Sequence, residues 1–126
     1  MKFFNNLEAN DNLFSLSNSV TGSARVLVSS TDLAELYSFS GDEFHGAKFV
    51  VQVMTASDNC VREVLGVHND VDGYLTEYAI VGTSEDLEQD DYRFFVDSSD
   101  VVFGVVPTTV EPRDFRVHFV LLRHDY

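Results

Sequence analysis

The feature that most constrains the fold is a period-two alternation running through residues 47–81 in three segments separated by two polar turns. In residues 47–55, Ala47, Phe49, Val51, Val53 and Thr55 share one face, while Lys48, Val50, Gln52 and Met54 share the other. Successive side chains of a strand point to opposite sides, so this pattern predicts a sheet with one face in a core. Ala56-Ser57-Asp58-Asn59 supplies turn residues that bond their own backbone. An apolar pattern then resumes, with Val61, Leu65 and Val67 on one face and Glu63 interrupting them. Asn69-Asp70-Val71-Asp72-Gly73 is a second turn, in which Asp-Gly signals a hairpin with glycine expected to take the positive φ. Tyr74, Thr76, Tyr78 and Ile80 follow on one face, and Leu75, Glu77, Ala79 and Val81 on the other. Such β-branched and aromatic enrichment suits half-buried strands. The stretch reads as an antiparallel meander.

Other strand candidates lie on both sides of it. Residues 25–29 form a short strand with Val26 and Val28 on one face. Residues 32–39 are ambiguous: Asp32 with Glu35 resembles a helix capping box, but Leu33, Tyr37 and Phe39 alternate, and the short run between Ser-rich turns reads as a strand. Residues 82–91 form an acidic loop; Tyr92, Phe94 and Val96 make a strand. Residues 101–106 are continuously apolar, as in a strand buried on both faces. Pro107 and Pro112 bracket a loop, and Phe115, Val117, Phe119 and Leu121 share one face of the last strand. About eight short strands at intervals of roughly ten residues predict one all-β domain, an antiparallel β-sandwich of jelly-roll-like or Ig-like type. The sandwich is expected over residues 24–126, preceded by an Asn- and Ser-rich N-terminal arm, residues 1–23. The arm's Phe3, Phe4, Leu13 and Phe14 need covering, which makes them candidate partner-binding residues.

Composition narrows function. At 126 residues the chain fits one domain with a real core. Its net charge of −13, from 21 acidic and 8 basic residues, argues against nucleic-acid and anionic-membrane partners. One cysteine, Cys60, rules out an intrachain disulfide and a cysteine zinc cluster; a half-buried structural role is expected. The first residues do not read as a signal peptide, and no stretch approaches the ~20 apolar residues of a membrane span, so synthesis and folding in a cytoplasm are expected.

Candidate chemical constellations each yield to a structural reading. Counting back from Gly73 as the EF-hand glycine places His68 where the first carboxylate belongs. The carboxylates of residues 85–91 lack a glycine to bend the chain around a cation. Glu63 and Glu77 lie on strands expected to pair, but nothing supplies a sugar cleft; Lys48 and Arg62 are the expected cross-strand partners. His45, His68, His118 and His124 show no metal-ligand spacing, and neither a nucleophile elbow nor a phosphate-cradling loop is present. The expectation is no enzymatic activity, catalytic residue, metal or cofactor.

AKFVVQV (residues 47–53) and EVLGVHNDVDGYLTEYAIV (residues 63–81) resemble a β-rich module of virion structural proteins from marine tailed phages, especially those infecting cyanobacteria. The matching residues are Ala47, Lys48, Val50, Val51, Gln52, Val53, Glu63, Leu65, Val67, His68, Thr76, Glu77, Tyr78 and Val81. The likeness extends over residues 24–122 but departs at Leu87-Glu88-Gln89-Asp90, where the module carries Leu-Gly-Thr-Phe. It implies a virion location and a structural role: foremost a capsid decoration or cement protein bound to the major capsid protein, alternatively a neck, tail or fibre component. A homo-oligomer is also expected. A glycan-binding sandwich is the competing class, with Tyr37, Tyr74, Tyr78 and Tyr92 as candidate platforms.

Overall fold

The computed structural model describes residues 13–123. Among the described residues, nine strands form two antiparallel sheets: β1 (Leu13–Ser15), β2 (Ser19–Val28), β3 (Ala34–Ser40), β4 (Phe44–Met54), β5 (Asn59–His68), β6 (Gly73–Gly82), β7 (Asp91–Asp97), β8 (Asp100–Val106) and β9 (Arg113–Arg123). A single-turn helix, α1 (Glu85–Glu88), lies between β6 and β7. The larger sheet has the order β1-β2-β9-β4-β5-β6 and the smaller β3-β8-β7. The chain changes sheet at β2–β3, β3–β4, β6–β7 and β8–β9. This is the all-β sandwich that the alternation predicts.

The core lies between the sheets. Phe49, Val51, Val53, Phe115, Val117, Phe119 and Leu121 of the larger sheet meet Leu36, Phe39, Tyr92, Phe94, Val101, Phe103 and Val105 of the smaller. Aromatic rings knit the layers. Phe49 stacks on Phe103 with centroids 4.0 Å apart and planes 9° off parallel, and Tyr37 stacks on Phe119 at 4.0 Å. Each fully buried Phe contributes about 1.5–3 kcal/mol of transfer free energy. Residues 101–105 of β8 are buried without alternation, as their apolar run predicts, because β8 is the central strand of the smaller sheet.

Four features differ from the sequence reading. The expected boundary after residue 23 falls inside β2, which pairs with β9 from Ser19↔Leu122 to Val28↔Arg113; its core-facing positions Val20, Gly22 and Ala24 are too small and mixed to announce a strand. Part of the expected arm is likewise sheet: β1 pairs with β2, and Leu13 packs against the core. The acidic loop contains α1, whose Leu87 is buried. In the β5–β6 turn the positive φ belongs to Asp70 (73°), not Gly73. The Asn69 Oδ1 accepts from the N–H groups of Val71 and Asp72 at 3.1 and 2.7 Å, which holds that conformation. Gly73 serves close packing instead, since a Cβ there would sit 2.3 Å from the Phe94 carbonyl oxygen.

Candidate interaction surface

The unusual element is β5. Its inward side carries Cys60, Arg62, Val64, Gly66 and His68, while Val61, Leu65 and Val67 face outward. A strand that buries an arginine and a histidine and exposes three aliphatics inverts the usual pattern. The inward polar groups are held by specific partners. The Arg62 guanidinium ion-pairs with Glu77 of β6, donates to the carbonyls of Leu87 and Glu88 in α1 at 2.8 and 3.1 Å, and lies 4.3 Å over the Tyr92 ring. His68 is fully buried. Its Nδ1 accepts the Asp70 N–H at 3.0 Å, so its Nε2–H donates to the Phe44 carbonyl at 2.6 Å, which fixes the neutral Nε2–H tautomer. Gly66 leaves room for Phe94, whose ring would stand 3.0 Å from a Cβ there. These demands fix which side of β5 faces in, and the aliphatics take the other.

Register then builds the outer face of the larger sheet row by row. Leu122, Gly46, Val67 and Tyr74 lie side by side across β9, β4, β5 and β6; the next row is Val120, Lys48, Leu65 and Thr76. Beyond these come His118, Val50, Glu63 and Ala79, and then Arg116, Gln52, Val61 and Val81. An irregularity opposite Glu63 and Val64 inserts Tyr78, placing it beside Lys48. Exposure ranges from 41% at Val61 to 76% at Val81, with Leu65, Val67, Tyr74, Tyr78 and Leu122 between. Gly46, lacking a side chain, makes a shallow apolar groove between Leu122, Val67 and Tyr74.

Both carboxylates on this face, Glu63 and Asp114, are paired with cations of the same face. Lys48 Nζ lies 3.4 Å from Glu63, and the hydrogen bond to that carboxylate holds the ammonium's pKa above its usual value, with the Tyr78 hydroxyl adding to the effect. Arg25 of β2 makes a two-pronged pair with Asp114 of β9, both contacts at 3.0 Å, and Arg116 adds a third at 3.1 Å. Hydrogen bonding to Arg25, reinforced by Arg116, pulls the Asp114 carboxyl down to about 2.

The remaining candidates divide as follows. Glu63 and Glu77 have the expected cation partners, Lys48 and Arg62, and point to opposite sides of the sheet. Tyr37 and Tyr92 belong to the core, whereas Tyr74 and Tyr78 are open to solvent. Phe3 and Phe4 lie outside the described residues, while Leu13 and Phe14 sit on the edge strand β1, opposite Gly22 and Thr21. Cys60 is fully buried, and burial pushes its thiol up. Among the described residues, no cluster of three or more His, Cys, Asp or Glu could hold a metal, and no helix is long and apolar enough to cross a membrane. Asp90 and Arg113, both with fully buried side chains, pair at 2.9 and 3.1 Å; with Thr108 and Thr109 they clamp residues 107–113 onto the end of β7. This pair is structural, and sequence reading missed it because its members are 23 residues apart.

No protein-family profile and no curated protein sequence matches the chain. Solved structures similar to it include phage tailspikes. The tailspike of Acinetobacter baumannii phage AM24 superposes with TM-score 0.50 over 85% of this chain and 27% of its own, at 7% identity. A tailspike of A. baumannii bacteriophage Fri1, described as a capsular polysaccharide depolymerase, gives 0.51 over 94% of this chain and 21% of its own, at 8% identity. The tailspike of Acinetobacter phage vB_ApiP_P1 gives 0.45 at 17% identity. The chain thus spans about a quarter of the length of these tailspikes, and what it shares with those of phages AM24 and Fri1 is the fold alone.

Proposed function

We propose that this protein is a non-enzymatic structural module of a phage tail, belonging to a spike or fibre. The observation that carries the reading is the fold likeness, which takes in 85–94% of this chain yet only 21–27% of each tailspike. The sequence resemblance to phage virion modules points to the same setting by an independent route, and the tail reading takes precedence over capsid decoration because the neighbours in three dimensions are tailspikes. The surface suits an assembly role: a broad, flat, apolar sheet face rather than a deep polar cleft.

Immunogold electron microscopy of particles of the encoding phage, with antibody against the purified protein, tests this. Label at the tail is expected. Label distributed over the head would replace this reading with capsid decoration, and unlabelled particles would overturn it.

A further inference from the structure

We infer that the outer face of the six-stranded sheet, centred on β5 and β6, is a contact surface for a second copy of this chain. Three observations carry this beyond the tail reading. The first is area. Seven exposed apolar side chains, each leaving about half of an area on the order of 150–200 Å² uncovered, give roughly 500–700 Å², a large share of the ~800 Å² per partner of a standard interface. A monomer's largest apolar patch seldom exceeds about 600 Å².

The second is the sorting of charge. The chain carries −13, yet the outward positions of this sheet hold three cations, Arg25, Lys48 and Arg116, against two carboxylates, Glu63 and Asp114. Both carboxylates are paired with cations on the same face. Most other carboxylates, those of α1 and of the segments around the smaller sheet among them, lie off this face, and Asp58, Asp70 and Asp72 border it only at the two ends of β5, so copies meeting through the acidic surfaces would set like charge against like. This face is where two copies approach without that repulsion.

The third is self-complementarity. A two-fold contact presents each patch to itself. Lys48 and Glu63 sit diagonally, on neighbouring strands and in adjoining rows. A two-fold axis across the strands between those rows brings the Lys48 of one copy over Val50 of the other, one strand away from that copy's Glu63 and within reach of the long lysine side chain. It also lays the row of Val67 and Tyr74 over that of Val61 and Val81. The free edge of β6, ten residues long, lies within the same patch and is shielded from off-register pairing once the face is covered.

Light scattering coupled to size exclusion, on the full chain, is the test. A dimer of twice 14.2 kDa is expected, strengthened by added salt as the net charges are screened. Val67→Glu weakens association at least about tenfold with an unchanged circular dichroism spectrum, whereas Val110→Glu, exposed outside this face, leaves it intact. Lys48→Glu alone and Glu63→Lys alone each weaken it, and mixing the two variant chains restores association as a heterodimer, which repair of the Lys48–Glu63 pair within one chain cannot produce. A chain that stays monomeric up to about 1 mM, or a dimer indifferent to Val67→Glu, overturns the inference; either result leaves the tail location standing, because that rests on labelling of particles.

Discussion

At the scale of the residue, the groups that organise this molecule are buried charges whose partners come from distant segments. Removing one member of a buried ion pair strands the other in low dielectric, at a cost of about 3–5 kcal/mol. Asp90→Ala is therefore expected to lower unfolding stability by that amount in urea titration, with Arg113 left facing Thr108 and Thr109. The exposed Arg25–Asp114 clip acts differently, through pH. With its folded pKa near 2 and its ordinary value at 3.8, Asp114 stabilises the fold above about pH 4 and loses that contribution as pH falls through 2. A carboxyl NMR titration should show this low value in the native protein and a rise toward 3.8 in Arg25→Ala, with Arg116 retaining part of the shift. Neither pair was legible in the sequence. Asp90 reads as one carboxylate of an acidic loop, and nothing local marks Arg113 as its partner. Lys48 with Glu63 and Arg62 with Glu77 were legible, because strand pairing alone brings them near.

At the scale of the element, the strands were readable and their facing was not always so. The alternation of β4 and β9 reports the core directly, since Phe49, Val51 and Val53 oppose Phe119, Val117 and Phe115 across the ladder. On β5 the same rule misleads: Val61, Leu65 and Val67 form the more apolar set but lie outside. What decides is long-range, namely α1 carbonyls for Arg62, the Phe94 ring over Gly66 and the Phe44 carbonyl for His68. The inversion makes an isosteric test. Val64→Thr, which buries a hydroxyl without a partner, is expected to cost about 1–3 kcal/mol, while Val67→Thr changes monomer stability by less than about 0.5 kcal/mol. Equal effects in thermal or urea unfolding would contradict the assigned facing. Gly66→Ala is expected to destabilise, by forcing the Phe94 ring out of its place over β5.

At the scale of the whole molecule, an acidic surface encloses one large, nearly neutral sheet face. The net charge was plain from composition, but its sorting was not, because sorting depends on the order β1-β2-β9-β4-β5-β6, which joins strands far apart in sequence. The same order makes β4, β5 and β6 one continuous half of that face, so the stretch that best predicts the fold also carries most of the candidate surface. On the tail reading proposed above, the chain is a component present in few copies. The most direct measurement is quantitative mass spectrometry of purified particles of the encoding phage, relative to the major capsid protein. The account predicts a small fixed copy number, far below that of the capsid subunit. A stoichiometry approaching one per capsid subunit, or absence from the particle, would contradict it.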